Sequence, residues 1–250
     1  MSLAFNIAKC VAWASGLATP EDWSRWQKGL LVMQAELALP PLADIPAMQR
    51  RRLSPFAKIA LHCAIEASGS AQSDIPVVFS SRHGDLHRTT GLIEDIAQGK
   101  DLSPTQFGLS VHNAAVGLFS IFSGNQAPIS AIAAGQSSFM VGLIDSVAKL
   151  KANKLPRILY VYCDLVVPEC YSQYVEHDVS IGIGLLIEAA QTPSAMFQLT
   201  QSQTEAATHS DHQALDFMKF YMGDETQYVA TVNQQLWQLN RNDKVQSSGI

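Results

Sequence analysis

The sequence predicts an α/β fold: a mostly parallel sheet flanked by helices, with a buried helix at its centre. Three observations carry this. Short apolar runs rich in β-branched residues alternate with longer stretches whose apolar residues recur at three- and four-residue steps, the order expected when packed helices separate strands. Of the 250 residues, 47% are hydrophobic and only 16% are charged, which supplies enough apolar surface for a sizeable core. No repeat at solenoid spacing and no low-complexity segment interrupts the pattern.

The first strand is expected over Ala4 to Trp13, closed by a turn at Ser15-Gly16. A polar, tryptophan-containing stretch follows, then a connection marked by Pro40, Pro41 and Pro46. Ser54-Pro55 starts a helix, with the serine as cap and the proline at the first helical position. Phe56, Ile59, Ala60, Cys63, Ala64 and Ala67 share its buried face, whereas Lys58 and Glu66 fall elsewhere. Ile75 to Ser80 reads as a buried strand, and Thr90 to Gln98 returns to helical spacing.

Phe107 to Phe122 is mostly apolar and small, with His112 and Asn113 in its middle, and predicts a core or interface helix packed on most sides. Ile129 to Ala133 reads as a strand running into Ala134-Gly135. Phe139, Met140, Leu143, Ile144, Val147 and Leu150 then give a helix whose terminal lysines complement its dipole. Arg157 to Cys163 and Val179 to Ile187 are expected as central strands, the second broken by Gly182 and Gly184, where close packing leaves no room for a side chain. Ser210 to Met222 is a helix stopped by Gly223, Tyr228 to Leu239 has helical spacing too, and a polar tail begins at Arg241. Because helices separate the strands, the sheet is expected to be largely parallel.

A net charge of −5 gives no general attraction to phosphates, and the run Arg50 to Arg52 is too short to change that, so nucleic-acid binding is disfavoured. No export signal is expected, and Ala114 to Ile132 is interrupted by Ser120, Gly124, Asn125, Gln126 and Pro128, too often for a membrane span. Cys10, Cys63, Cys163 and Cys170 show no Cys-x-x-Cys spacing and read as reduced, structural cysteines of a soluble cytoplasmic protein.

Three segments carry a family resemblance. RRRLSPFAKIALHCAIEA (Arg50 to Ala67), LSPTQFGLSVHNAAVGLFSI (Leu102 to Ile121) and ISAIAAGQSSFMVGLIDSV (Ile129 to Val147) occur in the order seen in the first half of the β-ketoacyl synthases. ILYVYCDLVVPE (Ile158 to Glu169) and VSIGIGLLIE (Val179 to Glu188) resemble the two strands that follow, so the likeness covers residues 1 to 190. It implies a thiolase-like fold, the N-terminal half of a ketosynthase, with residues 1–240 as one domain and 241–250 as a polar tail.

In that family the third segment mounts a cysteine nucleophile on a tight elbow; here the position holds Gln136. An amide has no ionisable proton and is a poor nucleophile, although it hydrogen-bonds well and could fill a cavity where an acylated cysteine would sit. The family's two catalytic histidines belong to its second half. His62, His83, His87, His112, His177, His209 and His212 are not set in the glycine-rich motifs that hold them. The resemblance therefore implies a non-catalytic subunit without cofactor or metal. Like a chain-length factor, and closest to the short versions associated with aryl polyene pathways, it would pair with an active ketosynthase and shape the channel for a chain held on an acyl carrier protein. Phe107, Leu109, Ser110, His112, Asn113, Gln136 and Phe139 are the implied channel and interface residues; Phe107 and Leu109 could equally be core, and His112 a satisfied buried histidine.

Other constellations are weaker. Gly135-Gln136-Ser137-Ser138-Phe139 lacks the second glycine of a hydrolase elbow. Ser81 to His87 gathers His83, Asp85 and His87, which suits a metal or acid–base site, but it is expected to be a solvated loop. Gly182 and Gly184 lack the rest of a dinucleotide motif, and His209, Asp211 and His212 form a polar cluster at a helix start. The rival function is an acyltransferase or thioesterase-like enzyme using Cys163, Ser137 or His112; a homodimeric scaffold is the third.

Overall fold

The structure is a computed structural model that describes residues 2–71, 73–175, 179–190, 194–202 and 212–242. In chain order the elements are β1 (Ser2–Ala14), α1 (Pro20–Gln27), α2 (Ala47–Arg50), α3 (Pro55–Ser68), β2 (Val77–Ser80), α4 (Leu86–Ala97), α5 (Pro104–Gly108), α6 (Ala114–Ser123), β3 (Ile129–Ile132), α7 (Ser138–Ala152), β4 (Arg157–Asp164), β5 (Ile181–Ala189), β6 (Phe197–Ser202), α8 (Gln213–Met222), β7 (Gln227–Val232) and β8 (Gln235–Arg241). The strands form one sheet in the order β3-β2-β4-β5-β1-β6-β8-β7.

The sheet is mixed rather than mostly parallel. Only β2 runs parallel to its neighbours, β3 and β4; the pairings β4–β5, β5–β1, β1–β6, β6–β8 and β8–β7 are antiparallel. The expectation failed because it took every connection for a helical crossover. β4 and β5 are joined by an irregular stretch and a short 3-10 turn at Glu169–Tyr174, and β7 and β8 by a hairpin.

Alternation along the strands sorts the core into two layers. On one face Val78, Tyr160, Tyr162, Ile183 and Leu185 pack with Phe139, Met140 and Leu143 of α7 and Phe217 and Phe220 of α8. On the other, Val77, Phe79, Leu159, Val161 and Cys163 pack with Phe56, Ile59 and Ala60 of α3 and Val116 and Phe119 of α6. Ser54 caps α3 as its sequence predicts, its Oγ accepting from Ala57 N–H at 3.1 Å, a contribution of about 1 kcal/mol. Helix α3 is buried on more than one face, since Leu61 and Ile65 are buried as well. It lies so close to β5 that a Cβ on Gly182 would sit 2.5 Å from Ile59 Cγ2, and one on Gly184 2.2 Å from the Cys63 carbonyl oxygen. The two glycines mark close packing, as expected.

Several elements depart from the sequence reading. Tyr228 to Leu239 is a hairpin, not a helix. Tyr228, Ala230 and Val232 alternate inward, and Asn233 and Gln234 both take left-handed backbone conformations (φ 49° and 66°) that turn the chain in two residues. Asparagine favours that conformation but glutamine does not, so the turn carries no strong signal. Helix α1 lies where the sequence suggests only a polar stretch; Thr19 and Asp22 form a reciprocal cap, and Trp23, 1% exposed, donates from Nε1 to Ala12 O at 3.0 Å. Strand β6 was not foreseen. The polar tail was placed from Arg241, but Arg241 ends β8 and its guanidinium donates to the carbonyls of Phe220, Tyr221 and Gly223; the remainder, 243–250, lies outside the described residues. The helix expected from Ser210 starts at Gln213, residues 203–211 also lying outside.

Candidate functional site

The segment from Phe107 to Phe122 is two helices separated by a short irregular stretch. Helix α5 closes at Gly108, where Ser110 Oγ donates to Phe107 O at 2.8 Å, and α6 begins only after Asn113. On α6, Ala115, Val116 and Phe119 are buried, but the segment is not packed on most sides: Phe107 is 60% exposed, Val111 45% and Ile121 74%. The apolar residues outnumber what one helix face can bury against α3. Leu109 and Ser110 are half-buried, and Asn113 is exposed.

His112 points back into the fold. Its Nε2 lies 3.0 Å from the Ser81 carbonyl, which can only accept, so the ring carries its proton there. The ring also meets Phe79 edge-on, with centroids 5.7 Å apart. His112 is thus the satisfied histidine of the two readings.

Ser81, immediately after β2, is fully buried with each polar group used. Its N–H donates to Ile132 O at the end of β3 (3.2 Å), its carbonyl accepts from His112, and its Oγ donates to Asp164 Oδ1 (2.8 Å) and accepts from Gly84 N–H (2.7 Å). Asp164, 3% exposed at the end of β4, also accepts from the N–H groups of Arg82 (2.8 Å) and His83 (3.2 Å). Burial, with the Asp164 carboxylate beside it, pushes the Tyr162 phenol well above its ordinary value. Asp85 caps α4 and pairs with Arg88 at 3.0 Å, and the Arg88 guanidinium donates to Gln106 Oε1, tying α5 to α4. The loop Ser81 to His87 is therefore a hydrogen-bonded turn buried at Ser81, Gly84 and Asp85 and exposed only at His87, rather than a solvated loop, because a carboxylate from β4 supplies the acceptors its backbone needs. His87 Nε2 lies 2.7 Å from Val166 O. Among the described residues no group of three His, Cys, Asp or Glu could hold a metal ion; His177, His209 and Asp211 lie outside them.

The elbow follows β3. Gly135 takes a left-handed conformation (φ 56°) that a side chain would strain. Ser138 clamps the turn, its Oγ accepting from Ala134 N–H at 3.0 Å and donating to Gly135 O at 2.7 Å. Gln136 stands at the crest, exposed, rather than filling a cavity within this chain. Behind it the start of α7 is closed by α8 and β7. Gln213 Oε1 accepts from Met140 N–H (3.1 Å), its Nε2 donates to Thr231 O (3.2 Å), and Tyr228 OH donates to its carbonyl (3.1 Å). Phe139, placed among the interface candidates, is 1% exposed and packs against Tyr160, Tyr162 and Phe217, so its ring belongs to the core.

Two of the rival catalytic residues, Cys163 and Ser137, have no activating partner among the described residues. Cys163 is fully buried, lies 3.7 Å from Phe56 O, and burial pushes its thiol well above the ordinary 9.0, the opposite of an activated nucleophile. Ser137 Oγ donates to Thr231 O at 3.5 Å, and among the described residues no histidine or carboxylate hydrogen-bonds to it. The sequence reading missed Asp164 and Gln213. A lone carboxylate closing the apolar run Ile158 to Cys163 was the available signal for the first; nothing marked the second.

Comparison with known proteins gives a consistent picture. The family described as β-ketoacyl synthase, N-terminal domain, matches residues 23–240. No curated protein matches the chain. Among solved structures, a chain of the complex of a ketosynthase (ApeO) with its chain length factor (ApeC) from Xenorhabdus doucetiae aligns at 27% identity and a TM-score of 0.83, over 96% of this chain and 100% of that chain. The ishigamide ketosynthase/chain length factor aligns at 14% identity and 0.60, over 80% and 67%. A β-ketoacyl synthase from Burkholderia phymatum aligns at 9% and 0.61, over 88% and 70%. The fold is thus the thiolase-like α/β fold of ketosynthases.

Proposed function

Because this chain belongs to the β-ketoacyl synthase N-terminal domain family, we propose that it is a non-catalytic, chain-length-factor-like subunit. It pairs with an active ketosynthase and shapes or limits the acyl channel in aryl polyene, polyketide or fatty-acid-like biosynthesis. The observation that carries this reading is Gln136: an amide crowns the elbow where the resemblance puts a nucleophilic sulfur. In this reading the growing chain is carried by an acyl carrier protein bound through the partner, and the complex works in the cytoplasm. Among the described residues no helix is long and apolar enough to cross a membrane.

The docking face follows from exposure. Phe107, Val111 and Ile121 leave apolar surface in water, and β3, paired on one side only, ends the sheet with half-exposed residues around an exposed Ala131. A partner that covers both gains apolar burial and satisfies an open strand edge. Near-equal coverage of the two chains in the Xenorhabdus doucetiae match also supports the reading, since a ketosynthase is there in complex with its chain length factor.

Ile121→Asp tests the face. Placing a charge in the buried centre of an interface is expected to weaken pairing about 30-fold or more, measured by co-purification and titration with the partner ketosynthase. Because Ile121 is 74% exposed in the single chain, the thermal midpoint of the unpaired variant should stay near wild type. In the same complex Phe107→Ala should lengthen or broaden the products without abolishing pairing. Unchanged pairing by Ile121→Asp would remove α6 from the interface, and unchanged products would remove Phe107 from the channel.

A further inference from the structure

On the pairing reading above, we propose that Asp164 is a positioning residue for the docking face: through Ser81 it fixes His112, and with it Phe107 to Asn113, relative to strand β3. Among the described residues, the backbone bonds of the stretch between α5 and α6 are all local: Leu109 N–H to Thr105 O, Ser110 N–H to Phe107 O, Ala114 N–H to Val111 O and Gly117 N–H to Asn113 O. Among the described residues, the side-chain hydrogen bonds that reach from this segment to the rest of the fold are Gln106 with Arg88 and His112 with Ser81. The second bond is the one at the irregular stretch itself. It ends on a carbonyl whose own residue is held from two other sides, by Ile132 O on its N–H and by Asp164 on its Oγ.

Ser81 is therefore a junction. One arm reaches the end of β3, four residues before Gln136; another reaches the segment that exposes Phe107 and Val111; the third is anchored on Asp164. The anchor needs a carboxylate. Asp164 receives four donor contacts, from Ser81 Oγ, from Arg82 N–H on both oxygens and from His83 N–H. An asparagine would turn an N–H group toward at least one of these donors. The Ser81–Gly84 turn would then shift, and the Ser81 carbonyl with it. The His112 ring lies over this turn, since a Cβ on Gly84 would sit at ordinary contact distance, 3.5 Å, from His112 Cδ2.

The test is a double-mutant cycle on pairing affinity, with the full chain and its partner ketosynthase. Asp164→Asn and His112→Ala are each expected to weaken pairing about tenfold, and the double variant by no more than about twofold beyond either. His112→Gln, whose Nε2 can donate to the same carbonyl, should restore pairing to within about threefold of wild type. Ser81→Ala, which keeps the backbone arms and removes the anchor on Asp164 together with the Gly84 N–H contact, gives the same sign if Asp164→Asn does not fold. Losses that multiply to about 100-fold would show that Asp164 acts on its own, and would overturn the relay.

A second readout separates the relay from the pairing. Amide hydrogen exchange over residues 109–114 of the unpaired full chain should quicken in Asp164→Asn and His112→Ala and stay near wild type in His112→Gln. No change in Asp164→Asn would overturn the relay even if the chain pairs. The expected exchange pattern in a chain that pairs with no ketosynthase would instead overturn the docking role together with the pairing reading, leaving the relay as an internal brace.

Discussion

Gly184→Ala is expected to destabilise the chain by about 3 kcal/mol or more, enough to leave much of it unfolded. The new methyl carbon would lie 2.2 Å from the backbone oxygen of Cys63, 2.8 Å from its carbonyl carbon and 2.9 Å from the Ala67 methyl. Two of these atoms are backbone of α3, so relief requires moving a helix that packs on β4, β5 and α6. Gly182→Ala should cost less, about 1–2 kcal/mol, since the closest atoms its methyl would meet are side-chain atoms, Ile59 Cγ2 at 2.5 Å and Cys63 Sγ at 2.9 Å, rather than backbone. Urea unfolding followed by far-UV circular dichroism orders the two. A Gly184→Ala chain within about 1 kcal/mol of wild type would contradict the close crossing of α3 over β5.

The second large effect is alkaline. Burial raises the thiols of Cys63 and Cys163 above their ordinary 9.0 and the phenols of Tyr160, Tyr162 and Tyr228 above 10.0. Unfolding restores the ordinary values. Above pH 9 the unfolded chain therefore holds fewer protons than the folded one, and stability falls as pH rises. The stabilising contribution is intact below pH 9 and is lost progressively through the window above it. Each such group removes about 1.4 kcal/mol per pH interval once the unfolded form has ionised, so the five together remove about 10 kcal/mol by pH 11. That is comparable with the whole stability of a typical domain, about 5–15 kcal/mol. The urea midpoint should be level from pH 7 to 8.5 and fall steeply by pH 10.5; a level midpoint throughout would mean that these side chains are not sealed from water.

What the sequence disclosed, and what it hid, has a physical pattern. Helix α3 was legible because Ser54-Pro55 marks its start and its apolar residues recur at helical spacing, and β2, β4 and β5 because they are unbroken apolar runs. Gly182 and Gly184 announced the tight crossing, and Ala134-Gly135 the elbow. Direction and pairing were not legible. Nothing local distinguishes a strand that follows a helical crossover from β5, which returns after an irregular connection, and Tyr228, Val232, Leu236 and Leu239 recur at the four- and three-residue steps of a helix although they lie on two strands. At the site, the amide at Gln136 could be read directly. The junction at Ser81 could not, because it gathers Ile132, His112 and Asp164 from distant positions, and only the fold brings them to one serine. Exposure was misread for a related reason: a run of small and apolar residues signals burial without saying whether this chain or another provides it.

On the proposed reading, Gln136 makes this chain a helper to another subunit's chemistry. Native mass measurement tests it most directly, with the 27.2 kDa chain co-expressed with an active ketosynthase and supplied with acylated carrier protein. A one-to-one complex is expected, in which covalent acyl mass appears on the ketosynthase and none on this chain. Acyl mass on this chain when it is purified without a partner, or a single chain that leaves the ketosynthase unbound, would contradict it.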